Sequence, residues 1–254
     1  MIQMILTDLD HTLLRQDGSI SAKTLSVLAA CREKGIRLAI ATARYWIGAE
    51  KYITLLQPDY EITTDGTLLH AGEDCLYSCA FSREESDGII SRILEAVPAA
   101  EITVAQGKTV YWNSRHIAES EKLHKAVYWD YTTPLSVPAN KIVAELPEEA
   151  IAREIAQAVG CKLQSYRGEN WYSFLPQGAG KVAAIQELSR ASGIPLADFV
   201  AFGDDLNDLE MLRMCGTGVA VANAVPEVLA CADAVTLSNE GDGVAHWLEV
   251  VVLA

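Results

Sequence analysis

Three short apolar runs in this chain each stop abruptly at polar residues, and that repetition constrains the fold more than any bulk property. Ile2 to Leu6 leads into Asp8, Asp10 and Thr12; Ile36 to Ala41 into Thr42-Ala43-Arg44; Phe199 to Phe202 into Gly203-Asp204-Asp205-Leu206-Asn207-Asp208. Each run reads as a buried strand, and helical patterns separate them, such as Ser21 to Lys34 after the first and Leu209, Met211 and Leu212 after the third. Strands alternating with helices predict an α/β chain with a mostly parallel, doubly wound sheet. Ligands of such sheets gather at the carboxyl ends of the strands, where these polar residues fall.

The strand ends carry the chemistry. Residues i and i+2 of a strand share a face, so an extended chain through Asp8 and Asp10 sets two carboxylates side by side. Such a pair is costly without a cation or a shared proton between its members. A solvated turn after an edge strand would carry an isolated D-x-D-x-T as well, and Asp204 to Asp208 could serve only as an N-cap and first-turn charges. Two strand-end acidic clusters in one chain are harder to assign to capping alone. Thr42 offers a hydroxyl, and the N–H groups after it could hold phosphate oxygens, although threonine is also common at helix caps. Lys181 follows the Gly178-Ala179-Gly180 turn and opens a helix marked by Val182, Ile185 and Leu188. A lysine in a first helical turn opposes the helix dipole, so a nearby anion explains it better than propensity; a surface lysine is the competing reading.

Taken in order, Asp8-Leu9-Asp10-His11-Thr12, Thr42, Lys181 and Gly203 to Asp208 resemble the haloacid dehalogenase superfamily of phosphatases and phosphotransferases. Asp8 to Leu14, Ala41 to Arg44, Leu175 to Lys181, Gly203 to Leu212, Val219 to Ala224 and Gly241 to Ala245 are similar to its Cof-type subfamily, so the resemblance covers most of the chain. Three positions depart from it: Thr64-Asp65-Gly66, where asparagine usually precedes the glycine, and Ala43 and Val182, where glycine is frequent.

The resemblance implies a Rossmann-like core with an inserted cap and a Mg²⁺-dependent phosphatase acting on small phosphate monoesters, either sugar phosphates or cofactor phosphates. Carried over position by position, Asp8 is the nucleophile that forms an aspartyl-phosphate and Asp10 the general acid/base. Thr42, Lys181 and Asn207 hold the phosphoryl oxygens, and Asp8, Asp10 (through its carbonyl), Asp204 and Asp208 hold the metal. A phosphomutase using the same intermediate is the alternative among enzymes, and a catalytically silent phosphosugar-binding regulator is the alternative outside them. The expected partner is a small-molecule phosphate ester, with the chain acting as a monomer or small homo-oligomer.

Spacing fixes where a second domain fits. Thr42 lies 30 residues after Thr12, room for one helix and one strand, but Lys181 lies a further 139 residues on. The expectation is a core of residues 1–80 and 179–254 with an α+β cap at 81–178. The cap pattern runs helix (Arg83 to Val97), strands (Glu101 to Ala105, Thr109 to Asn113), helix (Ile117 to Tyr128), strand (Lys141 to Leu146), helix (Glu149 to Val159) and strands (Lys162 to Arg167, Trp171 to Leu175). That order suggests a sheet covered on one side. The cap interval holds 10 basic and 13 acidic residues, leaving −11 of the −14 net charge to the core. Trp112, Tyr131 and Trp171 are read as packing residues.

The −14 charge argues against nucleic acid as a partner, since no basic surface or Lys/Arg run is present. An anionic substrate then needs local positive charge, from Mg²⁺, Lys181 and Arg44. No run approaches the ~20 apolar residues of a membrane span, and the start carries no secretion signal, so no membrane partner and a cytoplasmic location are expected. The six cysteines form no C-x-x-C pair and read as ordinary thiols; the closest two, Cys75 and Cys79, are weak evidence for a bridge. His11 alternates away from the aspartates. Gly180-Lys181 fails as a Walker loop because Leu175 and Val182 occupy its glycine and hydroxyl positions. Gly178-x-Gly180-x-x-Ala183 meets the loose dinucleotide fingerprint but leaves Asp8, Asp10 and Thr42 without a role, and no G-x-S-x-G elbow occurs.

Overall fold

The computed structural model describes residues 1–114, 125–166 and 168–254. They divide into two units: Met1–Ala43, Tyr52–Tyr77 and Gly180–Ala254 in the first, Arg44–Lys51 and Ser78–Ala179 in the second. Residues 44–51, which the sequence reading leaves with the core, cluster with the second unit. There Ile47 packs with Ala105 and Val110, and Tyr45 and Trp46 lie against them.

The first unit is built on one sheet of eight strands. Its order is β14 (Ala234–Val235), β13 (Thr217–Ala220), β12 (Phe199–Gly203), β1 (Met4–Thr7), β2 (Arg37–Ala41), β3 (Tyr60–Thr63), β4 (Leu68–Ala71) and β5 (Asp74–Ser78). All neighbours from β14 to β3 are parallel, and β4 runs antiparallel to β3. The chain steps outward one way through β1, β2 and β3 and the other way through β12, β13 and β14. The topological switch point therefore falls between β1 and β12, and a doubly wound sheet opens its binding crevice at that point. Every residue of β1, β3 and β12 is buried, as expected for strands covered on both faces.

Local sequence explains the helices that flank the sheet. Ser21 caps α1 (Ala22–Glu33) by accepting the Thr24 N–H at 3.0 Å, and Gly193, in the left-handed region, ends α5 (Lys181–Ser192). The first strand is Met4–Thr7 rather than Ile2 to Leu6, because its ladder begins where Met4 meets both Arg37 and Phe199. Thr7 remains in the buried strand by donating its hydroxyl to the Asp8 carbonyl at 2.8 Å.

The second unit has a six-stranded sheet in the order β10 (Lys162–Ser165), β11 (Trp171–Leu175), β9 (Lys141–Glu145), β6 (Ile102–Gln106), β7 (Thr109–Trp112) and β8 (Val127–Tyr128). It is antiparallel except between β7 and β8. Alternate residues of three strands, Ile102, Val104, Ile142, Ala144, Tyr172 and Phe174, share a core with α3 (Arg83–Ala96) and α4 (Glu149–Val159) through Ile89, Ile93, Ala152 and Ile155. Tyr131 belongs to this packing, its hydroxyl donating to the carbonyls of Ile102 and Tyr111. The helix expected over Ile117 to Tyr128 lies mostly outside the described residues. Its last two, Val127 and Tyr128, form a strand instead, a β-branched and aromatic pair laid along the edge of β7. The strand expected over Lys162 to Arg167 ends at Ser165, and Arg167 lies outside the described residues.

All six cysteines are free, so Cys75 and Cys79 form no bridge. Among the described residues no helix is long and apolar enough to cross a membrane.

Candidate active site

Asp8 is the first residue past β1, and its N–H donates to the Phe202 carbonyl of β12 at 3.0 Å. The sheet ladder thus runs up to the residue that faces the switch point. The chain does not continue as a strand. Leu9–Leu13 forms one helical turn, closed by the Leu14 N–H on the Leu9 carbonyl at 2.8 Å, with Asp10 extended (φ −69°, ψ 127°) and His11 left-handed (φ 59°). The strand alternation expected to pair Asp8 with Asp10 is therefore replaced by a turn. Leu9, Leu13 and Leu14 are buried, and drawing them into the core bends the chain. His11 is exposed, and its carbonyl accepts the Asn223 side-chain amide at 2.8 Å.

The second acidic cluster is shaped by Gly203. A Cβ there would lie 2.5 Å from the Cβ of Asp208, so only glycine lets Asp208 fold back against the end of β12. Asp208 is fully buried, and its Oδ2 accepts the N–H groups of Asp204 (3.1 Å) and Asp205 (3.3 Å). Asp205 caps the 206–208 turn through the Leu206 N–H at 2.8 Å. Thr12 donates its hydroxyl to Asp204 Oδ1 at 2.6 Å, joining the two motifs across the switch point.

Lys181 binds the constellation together. Its Nζ donates to Asp8 Oδ1 at 2.7 Å and to Asp208 Oδ1 at 2.6 Å, with all three side chains buried. The anion that a first-turn lysine calls for is thus supplied by two carboxylates of the chain itself. One oxygen from each of Asp8, Asp204 and Asp208 falls within 4.8 Å of the others. Burial pushes the Asp8 carboxyl well above the usual range, an effect that Lys181 opposes and Asp208 reinforces. Burial likewise raises Asp204 to about 6, against the lowering effect of the Thr12 hydroxyl. Burial disfavours the Lys181 ammonium, but Asp208 and Asp8 outweigh it and hold the group above an ordinary lysine. Three buried carboxylates facing one lysine form an acidic centre short of positive charge. An all-oxygen donor set of this size fits a hard divalent cation such as Mg²⁺.

The remaining expected residues lie as follows. Thr42 is buried at the end of β2, its N–H donating to the Ile62 carbonyl at 2.9 Å. Asn207 is exposed on the 206–208 turn. Arg44 belongs to the second unit, where its guanidinium donates to the Gly48 carbonyl at 3.3 Å. Two residues gained no role from the sequence. Asn223 holds the His11 carbonyl and accepts the Asn239 N–H at 2.9 Å, and Asn239 donates to the Leu14 carbonyl at 2.8 Å. Together they tether the middle and the far end of the turn that carries Asp10 and Thr12. Asn223 lies in the Val219 to Ala224 segment that is similar to the subfamily, and Asn239 lies in none of the similar segments.

Relatives match this chain over most of its length. Residues 5–248 match the model of the haloacid dehalogenase-like hydrolases, and the chain belongs to that family, as its motifs indicated. Among curated proteins it is similar to the HMP-PP phosphatase of Cronobacter sakazakii, 28% identical with 88% of this chain and 85% of the other covered. It is also similar to the 5-amino-6-(5-phospho-D-ribitylamino)uracil phosphatase YitU of Bacillus subtilis, 24% identical over 97% of this chain and 96% of that one. Among solved structures, a haloacid dehalogenase-like hydrolase from Bacteroides thetaiotaomicron shares the fold with a TM-score of 0.85, 23% identity, and 99% and 100% of the two chains covered.

Proposed function

We propose that the protein is a Mg²⁺-dependent phosphatase that hydrolyses small phosphate monoesters, either sugar phosphates or cofactor phosphates, through an aspartyl-phosphate on Asp8. The enzyme class, a phosphoric monoester hydrolase, accords with the family and with the phosphatases among its relatives. The observation that carries the reading is the convergence of Asp8, Asp204 and Asp208 on one point, with Lys181 bridging two of them.

In the first half-reaction an Asp8 oxygen attacks phosphorus, the phosphorus–oxygen bond of the ester breaks, and Asp10 gives its proton to the departing oxygen. In the second, Asp10 takes a proton from water, whose oxygen attacks the same phosphorus and releases the Asp8 carboxylate with inorganic phosphate. Lys181, Thr42 and Asn207 hold the phosphoryl oxygens, where negative charge concentrates. Asp8, Asp204, Asp208 and the Asp10 carbonyl would hold Mg²⁺, which when bound neutralises carboxylate charge and polarises the phosphoryl group. Tethering of the 9–14 turn by Asn223 and Asn239 keeps Asp10 in register with Asp8.

The test is phosphate release from a panel of sugar and cofactor phosphates, with Mg²⁺ and with EDTA, for the parent and Asp8→Asn. Metal-dependent release that vanishes in the variant supports the reading and ranks the substrates. Absence of release from every ester by the folded, Mg²⁺-loaded parent overturns it.

A further inference from the structure

The chain between β3 and β4 holds three consecutive residues in the left-handed region: Thr64 (φ 56°), Asp65 (φ 56°) and Gly66 (φ 77°). All three are buried. A β-branched residue with positive φ is a rare and strained conformation, and its neighbour Asp65 shares it. The β3–β4 pair closes at Thr63↔Leu68, so residues 64–67 form a hairpin loop, where a glycine or asparagine in the left-handed region is ordinary but a buried threonine is not. The reason lies across the interior. A Cβ on Gly66 would sit 2.4 Å from both the Gly180 carbonyl carbon and the Lys181 nitrogen, and 2.6 Å from the Gly180 oxygen. The turn is therefore pressed, backbone to backbone, against the peptide that starts α5 and carries Lys181. The same segment holds the other strand end, because the Ile62 carbonyl accepts the Thr42 N–H at 2.9 Å. Thr67 locks the turn by donating both its N–H (3.1 Å) and its hydroxyl (2.7 Å) to the Thr64 carbonyl.

We propose that the strained Thr64-Asp65-Gly66 turn is a positioning element for Lys181, fixing the height of its peptide so that one ammonium reaches both Asp8 and Asp208. The role in turnover rests on the phosphatase reading above, whereas the mechanical coupling does not. Strain survives here because the tight contact at Gly66 leaves the turn no relaxed alternative.

The experiment compares Gly66→Ala, Lys181→Met and the double variant with Gly35→Ala. A Cβ on Gly35 (φ 81°) would meet nothing within 4 Å, so its variant reports left-handed strain without a clash. Melting temperature and steady-state kinetics are measured for each. Gly66→Ala should lower kcat about tenfold to a hundredfold with KM changed less than about threefold, and Gly35→Ala should leave kcat within about twofold. The melting loss from Lys181→Met should shrink in the Gly66→Ala background, because the lysine is already displaced. Additive melting losses, or a Gly66→Ala kcat within about twofold of the parent, overturn the positioning role while leaving hydrolysis intact. Coupled melting losses in a protein that hydrolyses no ester uphold the positioning and overturn the phosphatase reading. Should Gly66→Ala fail to fold, Thr67→Val takes its place: it removes the hydroxyl that locks the turn on the Thr64 carbonyl, so a several-fold lower kcat with KM little changed is expected, and an unchanged kcat overturns the proposal.

Discussion

The two sheets use the same alphabet of apolar strands toward opposite ends. In the first unit the strands nearest the switch point are buried on both faces, so polar residues appear only where a strand stops, and three of those residues, Asp8, Asp204 and Asp208, are buried together with Lys181 from the start of α5. In the second unit the central strands are buried on both faces too, but the faces differ: one feeds an apolar core shared with α3 and α4, and the other carries the buried polar residues Thr103, Lys141 and Ser173. A parallel sheet concentrates its unsatisfied chemistry at one edge, whereas this antiparallel sheet commits one whole face to apolar burial. If the comparison is right, damage to the first unit at its strand ends should destroy chemistry at little cost in stability, and damage to the second unit's core should do the reverse.

The largest effect expected is for Asp8→Asn. Removing the nucleophile should lower phosphate release by about 10⁴-fold or more, while Lys181 keeps its ion pair with Asp208 and melting changes little. A variant that keeps a tenth of the parent's turnover would break the assignment. Lys181→Met should be costly on both axes, because it strands Asp8 and Asp208 as buried, unpaired carboxylates. About 3–5 kcal/mol of stability at neutral pH is the expected loss, read by denaturant titration, together with about 10²–10³ in kcat. Phe174→Ala tests the other side of the comparison. This fully buried side chain should cost about 3–5 kcal/mol, yet Mg²⁺ binding by the folded protein, read by calorimetry, should keep the parent's affinity.

How much of this was legible beforehand follows from the same contrast. Asp8, Asp204 and Asp208 could be found because a buried strand leaves its polar terminus conspicuous in the sequence, Lys181 because a lysine in a first helical turn opposes the helix dipole, and the order of the four is family-specific. The path from Asp8 to Asp10 could not, since the strand pattern says nothing of the turn imposed by burial of Leu9 and Leu13. Thr64-Asp65-Gly66 was visible only as a departure from the subfamily. Left-handed φ at a threonine contradicts its propensity, and the segment that Gly66 presses against, Gly180 and Lys181, lies more than a hundred residues away in the sequence. The assignment of residues 44–51 was illegible for a related reason: α2 (Trp46–Leu56) is one continuous helix, and which unit its first turn joins depends on Ala105 and Val110.

Metal removal should expose the cost of the acidic centre. Asp204, raised to about 6 by burial, binds its proton more tightly folded than unfolded, where a carboxyl titrates near 3.8. The sign follows from linkage: this group favours the fold fully below about pH 3.8, and that contribution is lost as pH rises through about 6. Raised Asp8 acts in the same direction. Metal-free protein should therefore be destabilised more by its ionised centre at pH 7.5 than at pH 5, and the rise in melting temperature on adding Mg²⁺ should be larger at the higher pH. A rise of equal size at both would show that the carboxylates are not the ligands.

The smallest effect, and the sharpest on the joint between the two motifs, is expected for Thr12→Val. The substitution keeps the shape of a side chain that is 1% exposed and removes only the hydroxyl that donates to Asp204 at 2.6 Å. That hydroxyl stabilises the ionised carboxylate, so its loss should move Asp204 above about 6 and shift the pH of half-maximal Mg²⁺ binding upward. Stability at pH 7.5 should fall by about 1–3 kcal/mol, as for a buried acceptor deprived of its donor, and by less at pH 5, where the protonated form prevails. Asp8→Asn cannot make this distinction, because it removes nucleophile and ligand at once. A Thr12→Val protein whose metal-binding pH profile overlays the parent's would mean that the Thr12 contact only packs the turn. A profile displaced upward with kcat at saturating Mg²⁺ nearly retained would assign Thr12 to holding Asp204 ready for the cation, and would separate that task from the phosphoryl chemistry of Asp8.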